Sequence, residues 1–113
     1  MKKIQVLDCT LRDGGYYNNW DFSKEIVNDY LKVMSAVGVD YVELGFRSFK
    51  IKSFKGPTWY TTESYLSSLS IPKNLTIGVM VNASELIIHP LGILKATKII
   101  LKNSKKSKIK LVR

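Results

Sequence analysis

An arginine followed at once by an aspartate and two glycines, Arg12-Asp13-Gly14-Gly15, closes the first apolar run of the chain, Ile4 to Leu11. In a parallel α/β sheet, ligands gather beyond the carboxyl ends of the strands, and side chains placed there face substrate. A guanidinium at such an end can stabilise the negative charge that develops on an enolate or alkoxide oxygen. A carboxylate beside it is a hard oxygen ligand of the kind divalent cations take. Gly14 and Gly15 break the strand, leave space for substrate, and permit backbone angles that a larger residue resists. A second acid, Glu43, lies inside the apolar run Val39 to Phe46. Strand alternation puts Tyr41, Glu43 and Gly45 on one face and Val42, Leu44 and Phe46 on the other. A buried carboxylate is costly unless paired, and Arg12 is the nearest obvious partner. Asp8, on the first strand, makes the same demand of the same arginine. The plain alternative is that Asp-Gly-Gly is only a turn and Arg12 only a rim ion pair.

The elements that must carry these residues follow from periodicity. Ile4 to Leu11 reads as a strand, and Tyr16 to Phe22 as a polar and aromatic loop. Ser23 is a good N-cap, with Glu25 in the first turn. Ile26, Val27, Tyr30, Leu31, Met34 and Val37 recur at helical spacing, and Gly38 supplies the stop. Val39 to Phe46 forms the second strand. Arg47 to Tyr60, with Gly56-Pro57, reads as a loop, and Thr61 or Thr62 caps a short helix through Leu69. Leu75 to Val81 is a third strand. A helix opening at Ser84-Glu85, interrupted at Pro90, runs on to Leu101, and Lys108 to Val112 begins a fourth strand. Strands alternating with helices imply a parallel sheet, either open and doubly wound or part of a (β/α)₈ barrel. A complete barrel needs about 250 residues, so 113 residues supply only part of one.

Composition bounds the remaining classes. Apolar residues make up 45% and charged residues 24%, an ordinary globular mix. The apolar runs fall far short of the ~20 residues that span a bilayer, and the opening Met1-Lys2-Lys3 lacks a signal-peptide core. The expectation is therefore a cytoplasmic chain with no membrane partner. The lone Cys9 excludes an internal disulfide and a cysteine-rich zinc site. The net charge of +9 is concentrated late, with no acid after Glu85. A basic tail can bind nucleic acid by releasing counterions. The Lys/Ile/Asn-rich composition throughout, and the absence of aromatics among those lysines, favour a solvated surface instead.

The string Asp8-Cys9-Thr10-Leu11-Arg12-Asp13-Gly14, followed one βα unit later by Val42-Glu43-Leu44-Gly45-Phe46, resembles the DRE-TIM metallolyase family. That family includes 4-hydroxy-2-oxovalerate aldolases, 3-hydroxy-3-methylglutaryl-coenzyme A lyases, and isopropylmalate and homocitrate synthases. Its opening signature, Asp-x-Thr-Leu-Arg-Asp-Gly at the end of the first barrel strand, is matched in full. Gly15 to Phe22 is most similar to the aldolase-type branch. Val79-Met80-Val81-Asn82 and Lys110-Leu111-Val112-Arg113 fall at plausible family positions, while the likeness fades between Leu86 and Lys106.

The resemblance implies an α/β chain covering the first three βα units of a TIM barrel and the start of its fourth strand, with residues 1–113 forming the amino-terminal part of one catalytic domain. It implies carbon–carbon bond cleavage or formation through an enolate of a small oxo-acid. Arg12 would stabilise the enolate, Asp13 would bind the divalent metal (Mn²⁺, Mg²⁺ or Zn²⁺), and Glu43 would orient Arg12. Gly14 and Gly15 would border the substrate. Tyr16 stands where the 4-hydroxy-2-oxovalerate aldolases carry a histidine base, and it either acts as acid or base or lines the pocket. The family's late His-x-His pair has no counterpart, since His89 is single and lies beside Pro90 in a helix-like stretch. One carboxylate cannot close a site around a hard cation. The expectation is a truncated enzyme, inactive alone, or half of a split barrel completed by a second chain; a non-catalytic basic remnant that binds nucleic acid or an acidic partner is the alternative.

Overall fold

The computed structural model describes residues 3–102 and 104–113. Met1, Lys2 and Asn103 lie outside them. Four parallel strands stand in chain order: β1 (Leu7–Asp8), β2 (Tyr41–Phe46), β3 (Thr76–Met80) and β4 (Ile109–Val112). Between them run α1 (Thr10–Asn18), α2 (Lys24–Ala36), α3 (Pro57–Tyr60), α4 (Glu63–Ser68), α5 (Ala83–Ile87) and α6 (Ile93–Ile100). No described helix is long and apolar enough to cross a membrane.

The core lies on one face of the sheet. Val42, Leu44, Ile77 and Val79 pack there against Val27 and Leu31 of α2 and Leu66 of α4. At ~25 cal/mol per Å² of apolar surface, each such side chain contributes about 1.5–3 kcal/mol relative to exposure. The helix ends follow their sequence signals. Ser23 accepts a hydrogen bond from the Ile26 amide at 3.3 Å, and Thr62 accepts one from Tyr65 at 3.1 Å. Gly38 takes the left-handed conformation at φ +81° that ends the α2 segment.

The opposite face of the sheet carries Glu43 of β2, Gly78 of β3 and Leu111 of β4. Register pairs Glu43 with Gly78 and Gly78 with Leu111. Irregularities in that register fall between Glu43 and Gly45 and between Ile77 and Gly78.

The opening segment differs from the sequence expectation. Strand β1 holds only Leu7–Asp8, and helix α1 takes in the expected strand end Thr10-Leu11, the break at Asp13-Gly14-Gly15 and the first part, Tyr16 to Asn18, of the loop expected over Tyr16 to Phe22. Residues 3–6 are exposed, Ile4 at 83%, so the alternation expected there finds nothing to pack on. Two mid-helix glycines cost about 1 kcal/mol each against alanine. Trp20 offsets this cost, because its indole Nε1 donates to the Arg12 carbonyl at 2.8 Å and its amide donates to the Gly15 carbonyl at 3.0 Å. The segment Arg47 to Tyr60 is likewise not wholly irregular, since Gly56-Pro57 opens α3 with proline in the first turn.

Candidate functional site

Arg12 leaves the first turn of α1, directly beyond β1, and its Nε donates to Glu43 Oε1 at 2.7 Å. Glu43 is fully buried. Its second oxygen accepts from Arg113 Nε at 2.8 Å, and Arg113 Nη2 donates to Oε1 at 2.9 Å. Arg113 extends the β4 ladder past Val112: its amide donates to Val79 and its carbonyl accepts from Val81. One buried carboxylate therefore gathers two guanidiniums at the carboxyl ends of the strands. Burial pushes the Glu43 carboxyl up, but the hydrogen bonds from Arg113 and Arg12 outweigh it and hold it below the usual carboxylate range. Burial opposes the charge on Arg12, and the Glu43 hydrogen bond more than restores it.

Asp13 turns outward, with its side chain 72% exposed and a loose 3.4 Å approach to Arg12 Nη1. Tyr16 follows Arg12 by four residues, which puts both on one face of α1. Its ring meets Trp20 edge-on at 4.7 Å and is otherwise largely exposed.

Two sequence expectations change here, at Gly15 and at Asp8. A Cβ on Gly15 would lie 2.0 Å from Trp20 Cδ1, so the bare face of Gly15 meets the indole of this chain instead of substrate space, whereas one on Gly14 would meet only Phe22 at an ordinary 3.8 Å. Asp8 does not turn to Arg12. It accepts from the Thr10 amide at 3.0 Å, from the Thr10 hydroxyl at 3.1 Å, and from the Tyr30 hydroxyl. Burial opposes ionisation of Asp8, yet the hydrogen bonds from Tyr30 and Thr10 keep its carboxyl low. His89 stacks on Phe49 at 4.6 Å, and its Nδ1 accepts from the Leu91 amide.

Arg113 went unassigned in the sequence reading, although the alternation of a β4 strand through Leu111 and Arg113 places it on the face of Glu43. The aromatic platform behind Arg12 was missed as well. Trp20 packs on Trp59 at 4.5 Å and on Phe46 at 5.5 Å, and Lys55 Nζ lies 5.0 Å over the Trp20 ring. Trp20 sits at φ +58°, a conformation that β-carbon residues adopt at a cost. Only clusters of short-range contacts among distant residues produce that arrangement, and no spacing in the sequence announces it.

Among the described residues, no group of three or more His, Cys, Asp or Glu side chains comes together. Asp13 alone does not satisfy a hard divalent cation, which needs several oxygen or nitrogen ligands. The described residues do not by themselves form a metal site. A hollow of about 550 Å³ is lined by Arg47, Phe49, Tyr60, Tyr65 and Ile100 and includes neither Arg12 nor Arg113.

No model of a known protein family matches the chain. Over 78 residues, 67% of this chain, it is 30% identical to the oxaloacetate decarboxylase of Mycobacterium tuberculosis (strain H37Rv), of which the match spans 23%. It superposes with a TM-score of 0.69 and 31% identity on the crystal structure of the N-terminal domain of a "putative aldolase" from Bacteroides vulgatus, across 96% of this chain and 44% of that one. The chain thus spans less than half the length of either protein. Its parallel α/β fold matches the amino-terminal part of an aldolase-type domain, and its similarity is to proteins of aldolase or lyase type.

Proposed function

We propose that residues 1–113 are the opening part of a TIM-barrel carbon–carbon lyase of the DRE-TIM type, nearest its 4-hydroxy-2-oxovalerate aldolase branch, acting on a small 2-oxo acid. The observation that carries this reading is Arg12, held by the buried Glu43 at 2.7 Å where strands β1 and β2 end. Two further features support it. The strand order β1-β2-β3-β4 rises without the reversal that marks a doubly wound sheet. The names of the two similar proteins belong to the same chemistry, since cleaving oxaloacetate and cleaving an aldol of a 2-oxo acid both leave an enolate.

In this reading the chain's own residues bind and polarise. Glu43 fixes the Arg12 guanidinium through Nε, so its remaining N–H groups point at a defined place, and negative charge on the substrate's oxo oxygen develops beside them. Such a preorganised donor costs no reorganisation when the charge appears; removing one of comparable role slows an enzyme by about 10²–10³. Tyr16 lines the same side of α1. A divalent cation, where the complete protein uses one, would take Asp13 as one of its ligands and draw the others from groups this chain does not bring together. No step here runs through it. The edges of β1 and β4 carry unpaired ladder groups, and we propose that the other strands of the barrel come from further polypeptide or from a second chain. The 113-residue chain alone is then inactive.

The test is pyruvate release from oxaloacetate and from 4-hydroxy-2-oxo acids by the chain alone and with the polypeptide encoded downstream of it. Release that appears only in the combined protein and vanishes in Arg12→Gln supports the proposal. Release that is insensitive to Arg12→Gln refutes it.

A further inference from the structure

We propose that Arg113 is a second anion-binding group of this site and holds the carboxylate of a 2-oxo acid beside Arg12. The inference rests on the functional reading above and extends it to the substrate's acid group. Burying one carboxylate calls for one counter-charge, and Arg12 already supplies it at 2.7 Å. The second guanidinium on Glu43 leaves the triad of Glu43, Arg12 and Arg113 with one positive charge too many. Two like charges held on one carboxylate repel each other until an anion joins them. Asp13 offsets that charge only in part, because it pairs loosely with Arg12 at 3.4 Å from a side chain that is 72% exposed and makes no ion pair with Arg113.

Geometry leaves Arg113 available to ligand. Nε and Nη2 are spent on Glu43, while Nη1, like Nη2 of Arg12, has no hydrogen-bond partner among the described residues. Arg113 reaches Glu43 from two strands away, a span of about 10 Å; on β3, Gly78 opposite Glu43 carries no side chain, while Arg113, two residues past Leu111, lies across from Met80. The two forks are thus fixed by the same carboxylate with donors to spare. A guanidinium so fixed suits a planar carboxylate, which it can bind through two parallel hydrogen bonds. The ligand class is an oxo-acid whose carboxylate meets Arg113 while its oxo oxygen meets Arg12.

Oxalate, which presents vicinal oxygens in a plane as a 2-oxo acid does, is the probe. It is titrated into the combined protein, in which the polypeptide encoded downstream is present, and into its Arg113→Gln, Arg113→Lys and Arg12→Gln variants, with arginine side-chain NMR resonances as readout and inorganic phosphate as a competitor. We expect Arg113→Gln to weaken oxalate at least tenfold, Arg113→Lys to recover only part of the loss, and phosphate not to displace oxalate. Oxalate binding by Arg113→Gln within twofold of the parent, with binding lost in Arg12→Gln, overturns the inference and leaves the functional reading standing. No oxalate binding by the parent protein overturns the inference, while Arg12-dependent pyruvate release tests the functional reading separately; phosphate binding equal to oxalate overturns the carboxylate assignment. Should Arg113→Gln fail to fold, Arg113→Lys carries the test, since it keeps a positive charge beside Glu43 but lacks the bidentate fork. Oxalate weakened severalfold in a folded Arg113→Lys supports a ligand contact, and oxalate binding within twofold of the parent shows Arg113 to be only a counter-charge.

Discussion

Replacing Glu43 by alanine tests the arginine pair at its root. Glu43 is fully buried and accepts three charge-assisted hydrogen bonds of 2.7, 2.8 and 2.9 Å. Breaking a buried ion pair by removing one partner costs about 3–5 kcal/mol, because the other charge stays buried and unpaired. Here the cost falls at the low end, about 3 kcal/mol, since the half-exposed Arg113 can turn to water and only Arg12 is left in place. For a chain of this size, each kcal/mol shifts the melting temperature by roughly 4–6 °C, so Glu43→Ala should melt roughly 12–18 °C below the parent. Circular dichroism at pH 7 reads that shift. A pH series adds a signed check. The folded-state pKa of Glu43 is depressed below its ordinary 4.5, so its contribution is fully present above that value. As the pH falls below 4.5, through the lower folded-state pKa, the contribution is lost. Asp8 and Glu63 are depressed in the same direction and deepen the acid loss. Glu43→Gln should keep most of the parent's shape while flattening its share of that acid slope. A Glu43→Ala chain that melts within 2–3 °C of the parent, or a Glu43→Gln chain with an unchanged acid profile, would refute the reasoning.

Other consequences are as definite. Gly15→Ala drives a methyl into the Trp20 indole, 2.0 Å away, and should cost about 1–3 kcal/mol, with a changed tryptophan emission spectrum as the sign that Trp20 has moved. Glu63 ties α4 to β4 by accepting from Arg47 Nη2 at 2.7 Å, the Ser107 hydroxyl and the Lys108 amide. Glu63→Ala should therefore speed hydrogen exchange in Ile109–Val112 more than in Tyr41–Phe46, and equal protection in both strands would count against the link. Gly78→Val fills the lane between Glu43 and Arg113 and crowds Leu111, which already lies 3.2 Å from where a Cβ would sit. It should lower the melting temperature and weaken oxalate binding together, and oxalate affinity unchanged in a folded Gly78→Val chain would speak against that lane.

Much of the frame was legible in the sequence because it rests on local signals. Ser23, Gly38 and Thr62 each act within one helical turn, and period-two alternation located Glu43 among Val42, Leu44 and Phe46. The Arg12–Glu43 pair followed from a physical demand, since a buried acid requires a cation. What stayed hidden depends on contacts between distant residues. Helix α1 runs across Gly14-Gly15, and Trp20 folds back from beyond its end to the Arg12 carbonyl. Asp8 finds Tyr30, twenty-two residues on, before it can reach Arg12. Arg113 meets Glu43 across an intervening strand, a pairing fixed by the sheet register and by the bare Gly78.

The central claim is that Arg12, aimed by Glu43, stabilises an enolate. Exchange of the methyl protons of pyruvate for deuterium, followed by proton NMR in the combined protein, reads that step without any cleavage chemistry. The account predicts exchange by the parent and a rate lower by about 10²–10³ in Arg12→Gln. Exchange that proceeds equally well without the guanidinium would contradict it.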